Sequence, residues 1–296
     1  MSTALRIFPI SDLHLERRRL DRIALAAEPF DLLACPGDLH EGHPERGLAA
    51  LLHLARGRPV VLVPGNHERY APAGDPRTAP DLLAALEAEV ARRNRQGARI
   101  HLLQRAQTCT IDGVRFIGAT LWSDWDLAGR WLAPDDPDRP DDPVAYAAAR
   151  MTDPATGSRE YLGSIRKGDG SPWQPADAMA AHRVERAAVH AALQIPHAGP
   201  TVVVTHHPAS PRAADRFRDA PGVPWWVPAF YASTALDDLA DAQRPDLWIS
   251  GHFHAGHDMR LGRCRWVSNP VEGATYRSDL IVDVGDAPRP APEPCG

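Results

Sequence analysis

Residues 60–68 have the sequence VVLVPGNHE, an apolar run that a Pro-Gly pair ends and that polar residues follow. A short run of branched apolar residues is typical of a buried strand in a parallel sheet. Pro and Gly together favour a turn at the end of such a strand. The stretch therefore predicts a strand whose carboxyl end is followed at once by Asn66, His67 and Glu68.

Four other apolar runs are followed by polar residues in the same way. In an open α/β sheet, ligands bind at the carboxyl ends of the strands, so we expect these polar side chains to meet at one site. The predicted strands and the residues that follow them are Leu5–Ile10 with Asp12 and His14, Asp31–Cys35 with Asp38, Thr201–Thr205 with His206, and Leu247–Ser250 with His252 and His254.

Helical patterns separate the first strands, and further strands follow. Alternation of strand and helix predicts an α/β fold with right-handed crossovers, and the later strands predict a second, partly antiparallel sheet packed on the first. Asp112-Gly113 predicts a two-residue hairpin turn. The predicted helices are Arg17–Ala27, Pro44–Ala55 and Pro80–Arg95, and the other predicted strands are Arg99–Leu103, Thr108–Ile111, Val114–Thr120, His257–Leu261, Arg265–Ser268 and Leu280–Val284.

The chain has 296 residues, and we predict a single domain over residues 1–285. Residues 123–174, called the inserted segment below, have weak periodicity and many Gly, Pro and charged residues, which favours an inserted loop or cap. Long insertions in compact domains are often lids or binding loops. Residues 286–296 are rich in Pro and Ala, and we predict a disordered tail there.

Composition argues against several classes of partner. The formal net charge is -5, so the chain as a whole lacks the basic footprint of a nucleic-acid-binding protein. No apolar run approaches the ~18 residues of a membrane span, and the first residues show no signal-peptide pattern. The four cysteines form no CxxC pair, which favours reduced thiols over a cysteine metal site. We therefore expect a cytoplasmic protein with a small-molecule substrate, and its oligomeric state is left open.

The residues that follow the strands suit a pair of divalent metal ions. They comprise two Asp, one Asn and four His, not counting His67. Imidazole and carboxylate ligands suit manganese, iron, zinc, nickel or cobalt, and the residues alone do not select among these metals. One ion cannot use so many ligands, whereas two ions that share a carboxylate can. Two-metal sites with ~3.5–4 Å between the ions recur in enzymes that hydrolyse phosphoesters.

The order Asp-x-His, Gly-Asp, Gly-Asn-His-Glu, His, Gly-His-x-His resembles the calcineurin-like metallophosphoesterase superfamily, and the matched motifs extend from Asp12 to His254. The resemblance implies a four-layer α/β/β/α sandwich of two mixed sheets flanked by helices. It also implies a hydrolase in which a water or hydroxide between two metal ions attacks phosphorus.

The resemblance implies a role for each matched metal ligand. Asp12, His14 and His254 would hold the first ion, Asn66, His206 and His252 would hold the second, and Asp38 would bridge the two.

Four further residues are candidates for roles in catalysis, substrate contact or support. The resemblance implies that His67 is not a ligand but faces the substrate, stabilises the phosphoryl oxygens and assists the leaving oxygen. Glu68 would orient His67 or support its loop. In Thr205-His206-His207 the residue directly after the strand is preferred as the ligand, which leaves His207 as a substrate-facing or structural residue. Tyr70 follows the His67 loop and is a candidate for facing the pocket.

The motifs do not separate the substrate classes of this superfamily. Aromatic residues in the inserted segment could hold a second ester substituent, which slightly favours a phosphodiesterase. The alternative is a phosphomonoesterase acting on a nucleotide, a sugar phosphate or a phosphoprotein. A non-catalytic scaffold of the same fold is a remote alternative, because such relatives typically lose ligands or the substrate-facing His, and here all are present.

Overall fold

The computed structural model of the protein describes residues 4–215, 222–234, 245–272 and 275–285. The predicted tail, residues 286–296, lies outside these ranges. The described strands are β1 (Leu5–Pro9), β2 (Leu32–Cys35), β3 (Val60–Leu62), β4 (Ile100–Leu102), β5 (Gln107–Ile111), β6 (Val114–Ala119), β7 (Thr201–Thr205), β8 (Leu247–Ser250), β9 (His257–Leu261), β10 (Cys264–Ser268) and β11 (Val282–Val284). The described α-helices are α1 (Pro44–Ala55), α2 (Ala79–Arg95), α3 (Asp126–Trp131), α4 (Pro143–Thr152), α5 (Pro175–Gln194) and α6 (Pro228–Tyr231).

The described strands form two mixed sheets. The first has five strands in the order β11-β1-β2-β3-β4, in which β1 to β4 are parallel and β11 is antiparallel. The second has six strands in the order β5-β6-β7-β8-β10-β9, with four central parallel strands and an antiparallel strand at each edge. Because parallel strands end on the same side of a sheet, the loops after β1, β2, β3, β7 and β8 are brought to one edge of the sandwich.

Apolar residues fill three layers between and outside the sheets. Ile7 and Val61 of the first sheet share one cluster with Phe116 and Val204 of the second. A second cluster joins α1 and α2 to the outer face of the first sheet. A third places residues of α3 to α6 against the outer face of the second sheet, around Trp248. This order of layers confirms the predicted α/β/β/α sandwich.

The predicted helix over Arg17–Ala27 is wrong. Only Leu20–Arg22 forms a single 3-10 turn there. Of the segment's side chains only Ile23 and Ala26 are buried, so too little apolar surface is covered to hold a helix against the sheet. The Arg18 guanidinium also bonds to the backbone oxygen of Val271, which ties the segment to the far end of the chain.

Helix α5 was not predicted from the sequence, although its buried residues lie at helical spacing. It spans 20 residues, and Ala178, His182, Glu185 and Val189 are buried at helical spacing. Two of these four residues are polar, which hides the apolar stripe that normally reveals such a helix. The inserted segment, predicted as an inserted loop or cap, carries α3, α4 and one irregular helical turn at Glu160–Ser164. Its apolar residues pack in the layer over the second sheet.

Gly118 in β6 marks a close approach of the two sheets. A methyl group there would lie 2.4 Å from Leu103 Cβ and 2.8 Å from Val63 Cγ2. We expect Gly118→Ala to destabilise the protein by about 1–3 kcal/mol through overpacking, measured by urea unfolding. Gly129→Ala is the matched control, because nothing lies within 4 Å of its added methyl group and it is helical. Equal unfolding midpoints for Gly118→Ala and the unmodified protein would refute the close approach.

Candidate metal centre

The loops at the sandwich edge have an unusual backbone where the predicted metal ligands lie. Asp12, His14, Asp38, His252 and His254 have φ angles of 54°, 43°, 59°, 67° and 49°. Few residues other than glycine adopt this left-handed region, and such strain costs on the order of 1–3 kcal/mol per residue. Five of the eleven described non-glycine residues with positive φ are these predicted ligands, and strain of this kind is typical of functional sites.

One group of predicted ligands surrounds Asp12, whose side chain is fully buried. Its two carboxylate oxygens accept from the backbone N–H of His252 at 3.0 and 3.2 Å, and Oδ1 lies 3.5 Å from His254 Nε2. His14 Nε2 lies 3.0 Å from His254 Nε2 and 3.6 Å from Asp38 Oδ2. Two imidazole nitrogens and two carboxylates therefore point at one small volume.

A second group lies on the other side of Asp38. His206 Nε2 is 3.3 Å from Asp38 Oδ2, 2.8 Å from Asn66 Oδ1 and 3.1 Å from His252 Nδ1. Asp38 itself is buried, and its Oδ1 accepts from the backbone N–H of His67 at 2.9 Å. Asp38 thus lies between the two groups of predicted ligands, the place expected of a bridging carboxylate.

Hydrogen bonds to the outer ring nitrogens orient two of the imidazoles. His206 Nδ1 donates to the backbone oxygen of Pro36 at 2.6 Å, which directs Nε2 toward Asp38. His14 Nδ1 is 3.0 Å from Glu16 Oε1, which leaves its Nε2 facing His254. Such contacts to carboxylate or carbonyl oxygens commonly orient metal-binding histidines and increase their basicity.

The donor set fits two divalent ions. Asp12, His14, Asp38 and His254 form one group, and Asp38, His206 and His252 another, with the donor atoms of each group within 4.8 Å of one another. Although burial acts to raise it, neighbouring histidines hold the pKa of Asp38 well below its usual value, so the shared carboxylate is ionised. Burial and the neighbouring His207 hold the pKa of His252 well below its usual value, so its lone pair is free to bind a cation.

His67 lies beside these groups but is held by acidic residues. Its Nδ1 is 3.0 Å from Glu41 Oε1 and 3.6 Å from Glu16 Oε1, and its Nε2 is 4.0 Å from Asp38 Oδ2. Burial acts to lower the pKa of His67, but Asp38 and the two glutamates raise it to about 10. In the metal-free protein the imidazole is therefore cationic at neutral pH, and such a ring suits contact with a phosphoryl oxygen.

Glu68 supports the loops rather than His67. Its carboxylate accepts backbone N–H groups from Gly65 at 2.6 Å, Leu39 at 2.6 Å and Asp38 at 2.9 Å. The loops after β2 and β3 are thereby joined through one buried side chain. Of the two roles predicted for Glu68, these contacts favour support of the loop.

His207 and Tyr70 occupy different positions around the site. His207 is fully buried, and its ring lies 4.0 Å from that of His252 and 5.2 Å from that of Trp122. It supports a predicted ligand from behind and has no surface open to a substrate. Tyr70 stacks on His67 with ring centroids 4.2 Å apart and an interplanar angle of 19°.

Sequence reasoning missed four acidic residues at the site. Glu16 and Glu41 follow His14 and Asp38 by two and three positions, a local signal that could have found them. Glu272 lies 3.4 Å from His14 Nε2, and Glu160 contacts Asn66, but both come from distant segments. No spacing in the sequence indicates that these two acids reach the site.

The fold and this donor set indicate a metal-dependent hydrolase. Comparison with known protein families identifies the family to which it belongs. The profile of the calcineurin-like phosphoesterase family matches residues 5–256, so the chain belongs to that family and is a hydrolase of phosphoesters. This family assignment confirms the resemblance drawn from the motifs. A comparison with curated proteins gives no match.

One solved structure supports the fold. The chain is similar to a phosphopantetheinyl hydrolase from Mycobacterium tuberculosis, with 20% identity, a TM-score of 0.64 and coverage of 99% of this chain and 100% of that one. It is also similar to a candidate 5'-nucleotidase from Staphylococcus aureus, with 13% identity, a TM-score of 0.48 and coverage of 92% and 49%. Among the described residues, no helix is both long and apolar enough to cross a membrane.

We expect Glu68→Gln to destabilise the metal-free protein by about 1–3 kcal/mol, because an amide replaces one acceptor oxygen and presents N–H groups to backbone donors. Urea unfolding of metal-free protein measures the change. Glu28→Gln is the matched control, since Glu28 is exposed on the surface. An equal decrease in the free energy of unfolding in both variants would mean that the three backbone contacts of Glu68 do not stabilise the protein.

Proposed function

We propose that the protein hydrolyses a phosphodiester, with His67 assisting departure of the leaving oxygen. Family membership already establishes a metal-dependent phosphoesterase. The finer assignment to diesters depends on one observation, the acidic surroundings of the site. Glu16, Glu41 and Glu272 each lie within 4 Å of His14 or His67.

Charge is the reason that this observation favours a diester. A phosphomonoester approaches two negative charges at neutral pH, since the second pKa of a phosphate ester is about 6. A diester carries one, so three neighbouring carboxylates repel it less. Arg17 lies 3.7 Å from Glu272 and 3.8 Å from Glu41, and offsets part of this acidity.

Two tyrosines lie beside the donor set, and one of them supports the same proposal. Tyr70 lies against His67, and Tyr231 lies 5.0 Å from the ring of His252. Tyr70 is buried, with His67 and Arg159 lying against its ring, so Tyr231 is the one of the two that suits contact with a substituent on the phosphate. The tyrosines come from the His67 loop and from α6, not from the inserted segment in which an aromatic wall was expected.

We propose that Asp12, His14 and His254 bind one ion, that Asn66, His206 and His252 bind the other, and that Asp38 bridges them. When bound, two divalent ions supply positive charge to the phosphoryl oxygens and lower the pKa of an attacking water toward ~7. The donor chemistry accepts manganese, iron, zinc, nickel or cobalt. A cytoplasmic location stays a prediction.

The chain's own contribution at the leaving group is a positioned proton. Glu41 Oε1 lies 3.0 Å from His67 Nδ1, and this negative charge favours the protonated ring. The opposite nitrogen, Nε2, faces the side of Asp38 and is the atom that would donate to the leaving oxygen. Stacking on Tyr70 limits rotation of the ring. A positioned general acid of this kind contributes about 10²–10⁴-fold to rate.

A phosphomonoesterase is the alternative function. The name of the phosphopantetheinyl hydrolase described above suggests one more substrate class, a phosphopantetheinyl ester. Its 20% identity to this chain shows a shared fold and does not select a substrate.

The first test compares bis(p-nitrophenyl) phosphate with p-nitrophenyl phosphate in the presence of Mn²⁺. We expect kcat/KM to be about 10-fold or more higher for the diester, because ~1.4 kcal/mol of reduced charge repulsion gives that ratio. A phosphopantetheinyl ester belongs in the same panel. Protein treated with a chelator is the control and should regain activity when Mn²⁺ is restored. A faster rate on the monoester would refute the diester proposal.

The second test changes His67→Asn and varies the leaving group. We expect kcat on an alkyl ester to fall by about 10²–10⁴-fold, and on a p-nitrophenyl ester by much less, because a stable leaving anion needs no proton. Metal content should be unchanged, whereas the matched variant Asp38→Asn should lose metal. An equal decrease in kcat on both esters would show that His67 is not the proton donor to the leaving oxygen.

A further inference from the structure

Glu160 is a fully buried acidic residue that the inserted segment places against the metal centre. Its Oε2 accepts from Asn66 Nδ2 at 2.8 Å and from the Tyr70 hydroxyl at 3.2 Å. Asn66 Nδ2 also donates to the Tyr70 oxygen at 3.3 Å. One carboxylate oxygen therefore collects two donors from the loop that follows β3.

These contacts determine which end of the Asn66 amide faces the centre. The unprotonated oxygen of a carboxyl group offers only acceptors, and Oε2 receives both donors, so the NH₂ group is the end that faces Glu160. The amide oxygen is then the end that faces His206, 2.8 Å from its Nε2. The reverse orientation would present N–H groups to a cation and an oxygen to the carboxylate, and both contacts would be unfavourable.

The inserted segment is held against this loop by further contacts. The backbone N–H of Ala71 donates to the oxygen of Ser164 at 2.8 Å. Arg159 pairs with Glu41 at 3.3 Å and lies over the Tyr70 ring at 5.6 Å. Glu160 is therefore carried by a segment that is fixed on both sides of Tyr70, which gives its carboxylate a defined position.

We propose that Glu160 is a positioning residue that orients the Asn66 amide oxygen toward the second metal ion. The proposal rests on the two-metal function proposed above and adds a residue that none of the metal-binding motifs contains. It also gives the inserted segment a role in building the metal centre. Partners that orient metal ligands typically change metal affinity by about 10–100-fold when they are removed.

The test is the number and affinity of bound Mn²⁺ ions in Glu160→Ala and Glu160→Gln, measured by elemental analysis and titration calorimetry. We expect the unmodified protein to bind two ions per chain. In Glu160→Ala the second ion should bind about 10–100-fold less tightly, while the first ion is retained. The affinity of Glu160→Gln for this ion should lie between those of the unmodified protein and Glu160→Ala. Its amide oxygen accepts from Asn66, but its NH₂ group no longer excludes the reversed orientation of the Asn66 amide.

Glu185→Gln is the matched control, because Glu185 is also a buried acid but accepts from the backbone N–H of Leu121 at 2.6 Å, away from the proposed ligands. It should lower the thermal unfolding midpoint and still bind two ions. Two ions of unchanged affinity in both Glu160 variants, with lower unfolding midpoints, would reduce Glu160 to a structural role and overturn the proposal. Glu160→Gln decides alone if Glu160→Ala fails to fold. Fewer than two ions in the unmodified protein would instead refute the two-metal function itself, and this proposal with it.

Discussion

Two buried carboxylates, Asp12 and Asp38, impose the arrangement on which the rest of the site depends. Both are excluded from water. A buried charge is costly unless hydrogen bonds or opposite charges surround it. The partners found here are backbone N–H groups and histidines, and reaching them places both carboxylate residues in the left-handed region. Both of these residues with positive φ thus carry a buried charge that hydrogen bonds and histidines surround at the sandwich edge.

The same contacts join the two sheets at their common edge. Asp12 from the first sheet accepts the N–H of His252 from the second, and His206 of the second donates to Pro36 of the first. Glu68 then joins two loops within the first sheet. The centre is thus built across the interface between the sheets, so displacement of either sheet would separate donors that must lie within a few ångströms of one another.

The parts of this arrangement that were predictable are those encoded within a few residues of a strand end. Asp12, Asp38 and His206 could be found because each follows an apolar run, and parallel strands place such positions together. Glu160 and Glu272 could not, because their approach depends on how the inserted segment and the C-terminal loop pack. The helix expected at Arg17–Ala27 failed for a related reason, since its side chains are engaged in distant contacts and not in an apolar face. Helix α5 was missed because buried His182 and Glu185 interrupt its apolar stripe.

In the metal-free chain, a protonated histidine supplies positive charge beside the buried carboxylates. Burial acts to lower the pKa of His206, but Asp38 and Asp12 raise it to about 9, so this ring is protonated at neutral pH. A protonated Nε2 has no lone pair for a metal, so on the ligand assignment proposed above an ion bound at His206 would displace a proton. His252 differs, because burial and neighbouring histidines hold its pKa low and its ring neutral. The buried carboxylates thus attract positive charge to the ring of His206 and not to that of His252.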